Sequence, residues 1–364
     1  MIEAHWGEST PLSLGVEEEV MLLDAETLLP APEVAAVLAA ADGRLLPGRL
    51  KTELHASIVE LNTDVCADAT EALEAVRALR AAAHEAARAS GVRIAAAGTH
   101  PTAAPESLEV VQEPRYLEML EYAGHTARRQ GVNGLHVHVG MPDGDACMRA
   151  LEFALPWLPV VLALSANSPF LAGEDTGFFS NRGPILAELP RSGAPPAFAS
   201  YEEWEAYVER LMALELPRDY TAFWWDVRPH PRYGTLEVRM PDQPTVAERT
   251  GAFVALVQAL CAVALESPAR DGDAAGRGLY AQNRWAAARF GPQGMLVAPE
   301  RNRLATAAEL GAELLDLVRP AAEALGSAAL LDALDPERCE ADVQRAAGVE
   351  GAAASIAERT LRSP

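Results

Sequence analysis

The sequence predicts a fold in which strands and helices are interleaved, long enough at 364 residues to be two domains or one large one. Three observations carry this. Short runs alternate with a two-residue period, as in GVEEEVMLLD; longer Ala/Leu-rich runs follow helical spacing, above all over 69–90; and Gly/Pro-rich breaks separate them. The pattern leaves parallel and antiparallel pairing equally open.

Taken in order, residues 15–23 read as a strand and residues 28–50 as a loop and helix leading away from it. Residues 52–62 resume as a strand or irregular strand. A long helix follows over 69–90, with Thr70 as its cap and Gly91 as its end. A short strand at 92–97, a helix at 116–129 and a strand at 135–140 come next. The apolar run 151–170 is interrupted by Glu152, Pro156 and Pro159, and so reads as a buried helix rather than a membrane span. Two Gly/Pro-rich connections, 173–184 and 190–196, lead to a helix at 201–214, a strand at 235–240 and a helix at 246–265. From Thr306 the chain is helical, with interruptions at Pro320 and Pro336.

The formal charge of −22, with no basic stripe, argues against nucleic acid as a partner. Four scattered cysteines, Cys66, Cys147, Cys261 and Cys339, lack CxxC spacing, so neither a zinc knuckle nor a disulfide framework is expected. MIEAHWGEST lacks the basic and apolar regions of a secretory signal. The expectation is a reduced, cytoplasmic protein with no membrane partner.

Four segments carry the chemistry. In GVEEEVMLLD a strand puts Glu17, Glu19, Met21 and Leu23 on one side and Glu18, Val20 and Leu22 on the other. Same-face neighbours stand roughly 6.5–7 Å apart, so the paired carboxylates ask for a cation or an arginine between them. TELHASIVELNT adds Glu53 and Glu60, which have opposite parity and need a bulge or bend to meet. GLHVHVG sets His136 and His138 on one face against Leu135, Val137 and Val139, a face suited to a metal or a phosphate. In WWDVRPHPRYGTLEVRMPD the strand aligns Thr235, Glu237 and Arg239, preceded by Arg228 and Arg232. An acid beside several guanidinium groups suits a nucleotide site, with the acid on Mg²⁺ and the arginines on phosphate oxygens. Glu17, Glu19, Glu53, Glu60, His136 and Glu237 form a mostly oxygen donor set, which favours Mg²⁺ or Mn²⁺ over structural zinc.

These segments, together with NSPFLAGEDTGFFSNR and NRWAAARFG, follow in order the pattern of the type 2 glutamate–cysteine ligases, the carboxylate–amine ligase family; the resemblance covers residues 15–291. It implies an α+β fold of the glutamine-synthetase type: a curved, largely antiparallel sheet with helices packed on its outer side. It also implies one catalytic domain over residues 1–305, with the helical segment 306–364 packed on it, and a homo-oligomer. ATP would phosphorylate a carboxylate, and an amine would then attack the acyl phosphate. By motif, Glu19, Glu53 and Glu60 would hold the cation nearer the carboxylate, and Glu17, His136 and Glu237 the one on the nucleotide. His138 would face nucleotide or substrate, and Arg239 the transferred phosphoryl group. Arg182, Arg228 and Arg232 resemble the family's anion contacts. Glutamate and cysteine are the substrates the resemblance implies; the alternatives are another acid and amine pair, or a nucleotide-binding regulatory module on the same fold. The loop 173–183 is expected to cover the site, and NRW departs from the family, which often has lysine in its middle.

Overall fold

The computed structural model describes residues 2–361. Its main sheet contains β1 (Leu14–Asp24), β2 (Gly48–Thr52), β3 (Ile58–Thr63), β4 (Val92–Ala95) and β5 (Leu135–Gly140). The small hairpin β6–β7 (Phe170–Leu171, Glu174–Asp175) intervenes before its last two strands, β8 (Val227–His230) and β9 (Thr235–Val238), and a second hairpin, β10–β11 (Met295–Val297, Leu304–Thr306), follows. The order is β2-β3-β1-β5-β9-β8, with β4 beside the second half of β1. Every pairing in this sheet is antiparallel, which resolves the choice the sequence pattern left open.

The even residues of β1 face a helical layer. Val20 and Leu22 are fully buried with residues of α1 (Val34–Ala41) and α2 (Ala69–Ala89). Leu14 and Val16 join Val137, Val139, Leu236 and Val238 in the main core. That core also takes in α5 (Gly144–Ala154), α6 (Leu158–Ser165), α9 (Ala247–Glu266), α10 (Ala274–Phe290) and α11 (Ala307–Ala324). A register slip of one residue would turn Glu17 and Glu19 into this layer, so the alternation pins the strand. The segments Gly144–Ser165 and Ala247–Glu266 are apolar enough to span a bilayer, but 89% and 72% of their apolar windows are buried within the fold, where they serve as core helices.

The odd residues of β1 face the opposite side, and the strand divides along its length. Glu17 and Glu19 line a polar cleft, while Met21 and Leu23 are covered by Ile356 and Ala357 of the C-terminal helix α12 (Glu340–Arg359). The remaining helices, α3 (Pro114–Ala123), α4 (His125–Arg128), α7 (Arg182–Leu186) and α8 (Tyr201–Ala213), lie in the connections between strands.

Several local expectations need correction. Residues 52–62 are two strands and a turn, not one strand. Asp68, not Thr70, caps α2, accepting from the N–H groups of Thr70 and Glu71 at 2.9 Å. The helix expected over 116–129 breaks at Gly124, whose φ of 58° lies in the left-handed region. The buried run beginning at 151 belongs to two helices that start at Gly144 and end at Ser165. Pro320 does not interrupt α11: both it and Asp316, the residue four earlier whose carbonyl a proline cannot bond, are exposed.

Candidate active site

The antiparallel register brings the sequence candidates onto one face. Glu17 lies opposite Asn62 and His136, Glu19 opposite Glu60, and His138 opposite Glu237, which in turn faces Arg228. Directly opposed residues point the same way, so three acids from β1 and β3, two imidazoles from β5, and Glu237 with its arginines share a surface. Glu53 reaches it by another route than a bulge. β3 pairs regularly, and Glu53 leads the turn between β2 and β3, where it lines one pocket with Glu19 and His136.

Two cavities flank this face. The larger, about 440 Å³, is lined by Glu17, His138, Arg49, Lys51, Asn62, Arg232 and Tyr233 among others. The smaller, about 90 Å³, is lined by Glu19, Glu53, His136, Arg182, Arg239 and Trp224, with Leu54, Ile58, Met119 and Leu189 as apolar wall. Trp225 by contrast packs into an aromatic core with Phe223 and Trp204.

Glu17 accepts from Asn62 Nδ2 at 2.8 Å and from His136 Nδ1 at 3.2 Å. Burial alone would raise its pKa, but His136 and His138 outweigh that and hold it well below the usual carboxylate range. Burial, with Arg239 alongside, drives the His136 imidazole down to about 4, so it is neutral at pH 7. A neutral ring donating from Nδ1 to a carboxylate exposes its lone pair at Nε2. That Nε2 is buried and has no hydrogen-bond partner, and the same holds for His138 Nε2. His138 Nδ1 bonds Thr235 Oγ1 at 2.9 Å. Burial opposes its charge, yet Glu237 and Glu17 raise its pKa.

The acids of the second group are pushed the other way. Burial lifts Glu19 to about 7 against the pull of Arg182, the Gly134 N–H and Arg239. Its Oε2 accepts that N–H at 2.5 Å. Burial, then Glu19 and Glu60, drives Glu53 well above its ordinary value, and burial with Glu17 raises Glu60, which Lys51 approaches at 3.6 Å. Carboxylates crowded beyond their local counter-charge, beside two orphaned imidazole nitrogens, fit an oxygen-rich divalent cation site. Glu17, His138 and Glu237 have donor atoms all within 4.8 Å of one another. The nucleotide-side set expected from sequence had His136 in place of His138; His136 stands between the two groups, with Nε2 3.8 Å from Glu19.

Arg228 Nε and Arg239 Nη1 engage the two oxygens of Glu237 at 2.6 and 2.5 Å. Burial is outweighed by these cations, and the carboxylate is held well below its usual range. With a third contact from Arg228 Nη2 at 3.2 Å, about one of a carboxylate's four or so acceptor positions remains for a cation. Arg182 is buried behind Glu19 and donates to the carbonyls of Arg239 and Met240 at 2.9 and 3.1 Å. It lies so close to Gly134 that a Cβ there would stand 2.1 Å from its Nη2, which accounts for that glycine. Arg232 is exposed at the rim of the larger cleft.

Other motif residues are wiring. Asp242 accepts from Ser168 Oγ at 2.6 Å, Ser180 Oγ at 2.8 Å and the Asn167 N–H at 2.9 Å, tying three motifs together behind Arg182. Arg284, the middle of NRW, pairs with buried Asp226 at 2.7 Å, and Asn283 exchanges bonds with the Val297 backbone. That departure therefore touches support, not a cavity wall. The loop over 173–183 is tied down beside the site and does not lie across it. Arg289 holds the Gly177 carbonyl, Arg345 holds Asp175 and the Phe178 carbonyl, and Arg182 near its end lines the smaller cavity.

Sequence reasoning set Glu18, the middle acid of β1, on the face opposite Glu17 and Glu19 but named no partner for it. It points into the helical layer, fully buried, where Arg80 of α2 meets it through two bonds of 2.7 Å. The sequence reading passed over Arg49 and Lys51, which stand opposite Asn62 and Glu60 of β3.

This α+β framework also appears in solved ligases. A glutamate–cysteine ligase from Francisella tularensis, solved with AMP, matches at TM-score 0.68 and 14% identity over 97% of this chain and 89% of that one. A bifunctional glutathione synthetase from Pasteurella multocida matches at 0.68 and 17%, covering 96% of this chain and 52% of that one. At those identities the likeness shows the fold. More directly, the model of glutamate–cysteine ligase family 2 matches residues 13–344. A relative from Rubrobacter xylanophilus, provisionally named glutamate–cysteine ligase 2-3, is 41% identical over 91% of this chain and 90% of its own length. One from Herpetosiphon aurantiacus, provisionally named glutamate–cysteine ligase 2, is 38% identical over 89% and 85%. The chain belongs to glutamate–cysteine ligase family 2, a family of carboxylate–amine ligases.

Proposed function

We propose that the chain joins a carboxylate to an amine at the expense of ATP, with glutamate and cysteine as the pair, giving γ-glutamylcysteine through an acyl phosphate in the cytoplasm. The observation that carries this is the division of one polar sheet face between a large cleft edged by Arg49, Lys51 and Arg232 and a small pocket holding Arg182 and Arg239. A nucleoside triphosphate fits the first by size, and the second, about 90 Å³ as it stands, offers Arg182 and Arg239 to a substrate carboxylate. Glu17, His138 and Glu237 are assigned to the cation on the nucleotide, and Glu19, Glu53 and Glu60 to one nearer the carboxylate, with His136 between them. Mg²⁺ or Mn²⁺ held there would neutralise charge on the phosphoryl oxygens.

The residues then have separable tasks. A carboxylate is a poor electrophile until one oxygen becomes a leaving group. The substrate oxygen attacks the γ-phosphorus as the bond to ADP breaks; Arg239, with Arg228 behind Glu237, faces the charge gathering on the transferred group. The amine nitrogen next attacks the acyl carbon, phosphate leaves, and the amine gives up a proton. The apolar wall of Leu54, Ile58, Met119 and Trp224 limits water, which would otherwise hydrolyse the acyl phosphate.

ADP and phosphate release across a panel of acids and amines tests the reading. Release that requires both an acid and an amine supports ligation, and the most efficient pair identifies the substrates. Nucleotide binding without turnover would replace the ligase with a binding module.

The cation sites make a second prediction. Glu19 titrates near 7 and His138 is shifted upward, so below pH 7 a cation must displace protons to bind. Mn²⁺ or Mg²⁺ should raise the melting temperature more at pH 8 than at pH 6. Titration calorimetry at pH 6.5 should show proton release as a buffer-dependent enthalpy. Equal cation-induced shifts at both pH values would remove Glu19 and His138 from the ligand sets.

A further inference from the structure

The turn between β8 and β9 carries an aromatic stack that the reaction as described does not use. Tyr233 lies face to face on His230, with ring centroids 4.2 Å apart and planes within 11°. His230 is 7% exposed, so the lower ring is held within the protein. His138 and Tyr220 meet the edges and faces of this stack at 5.3–5.7 Å, fixing it from two sides. Tyr233 itself is 50% exposed, an unusual setting for an aromatic ring so firmly backed.

Its position gives the exposure a use. Tyr233 and Arg232 line both the 440 Å³ cleft and a neighbouring cavity of about 780 Å³, whose wall includes His230 and Tyr220. One side of the Tyr233 ring lies on His230 and the ring forms the lip between the two spaces. His230 Nδ1 is buried without a hydrogen-bond partner in that wall. Gly234, at φ 63°, makes the turn possible: a Cβ there would stand 2.4 Å from the His5 carbonyl oxygen. A ligand anchored by phosphates beside Glu17, His138 and Arg232 thus has a flat, backed aromatic surface within the same cleft.

Resting on the nucleotide reading above, we propose that Tyr233 is the platform on which the purine base of the nucleotide stacks, with His230 as its rigid backing. An aromatic ring supplies base affinity through its face, independent of phosphate contacts. Arg232, next along the turn, serves the phosphates and not the base, so the two residues divide affinity between base and charge.

The test is calorimetric binding of Mg-ADP and of inorganic tripolyphosphate with Mg²⁺ to full-length wild type, Tyr233→Ala and Tyr233→Phe. Tyr233→Ala should weaken Mg-ADP about tenfold and leave tripolyphosphate affinity within about twofold, while Tyr233→Phe restores ADP affinity. In turnover, Tyr233→Ala should raise the KM for ATP with little change in kcat. Unchanged ADP affinity in Tyr233→Ala overturns the platform, as does equal weakening of ADP and tripolyphosphate, which would mark general damage to the turn. Wild type that ligates normally while Tyr233→Ala binds ADP unchanged sinks this inference alone; wild type that binds no nucleotide sinks both it and the ligase.

Discussion

Glu19→Gln is expected to lower ligation by about 10³-fold or more while costing the folded protein no stability at pH 8. The two halves of this result have different sources. Glu19 sits where burial already favours its neutral form, with a pKa of about 7, and a glutamine has the shape of that form. The amide oxygen can keep the bond from the Gly134 N–H. What is lost is a negative oxygen beside Glu53 and Glu60, the charge a cation in this pocket requires. The pH dependence follows from the direction of the shift. A carboxyl raised from its unfolded value near 4.5 to about 7 contributes stability that is fully present below the lower value and lost as pH rises through the upper one. The glutamine does not titrate, so the variant should gain on the wild type between pH 6 and pH 8. Urea unfolding at both pH values and ADP release at saturating substrates provide the readouts. Turnover near that of the wild type would dismiss Glu19 as a cation ligand. Glu237→Gln is a poorer probe, because it also strips Arg228 and Arg239 of their shared counter-charge in a buried setting.

What the sequence made legible and what it hid divide along a physical line. Strand alternation depends only on nearest neighbours, so the parity of Glu17 with Glu19, of His136 with His138, and of Glu237 with Arg239 could be read directly. Pairing depends on partners far along the chain. The convergence of these strands on one face was therefore implied by a family resemblance before the register Glu17–His136 and His138–Glu237 could show it. Glu53 was misread as part of a strand because Leu54 and Ala56 alternate with polar Glu53, His55 and Ser57, so the strand-like pattern runs on through the turn at 53–57. The glycines over 173–183 resemble a mobile cover, yet arginines more than 100 residues away, Arg289 and Arg345, hold that loop against the helices. The clefts' own cations, Arg49 and Lys51, looked like ordinary solvated charges because nothing local distinguishes a β2 residue facing acids from one facing water.

The glutamate triplet supplies the second large effect. Arg80→Met should cost about 3–5 kcal/mol of folding stability, a large share of the 5–15 kcal/mol typical of a domain. Arg80 looks like one more charge on an amphipathic helix, but its side chain is 3% exposed and that of Glu18 is fully buried. Besides its two bonds to Glu18, it donates to the carbonyls of Pro244 at 2.9 Å and Thr245 at 2.6 Å, and to that of Thr360 at 3.3 Å. One guanidinium thus ties β1 and α2 to the approach to α9 and the end of α12. Methionine fills much of the volume but leaves the Glu18 carboxylate, among the described residues, to Gln243 Nε2 at 2.8 Å and Thr250 Oγ1 at 2.6 Å. Removing both charges, in Arg80→Met with Glu18→Leu, should recover part of the loss, since the stranded anion is the larger share of the cost. Recovery stays incomplete because the Thr245 and Thr360 carbonyls lose the guanidinium, while that of Pro244 keeps Gln243 Nε2 at 3.0 Å. Because Glu18 faces away from the cleft that Glu17 and Glu19 line, kcat per folded molecule at low temperature should stay within about threefold of wild type. A double-mutant cycle by denaturant unfolding measures the coupling. A loss below about 1 kcal/mol for Arg80→Met would mean that water reaches Glu18, and the middle acid would then need the same account as its neighbours.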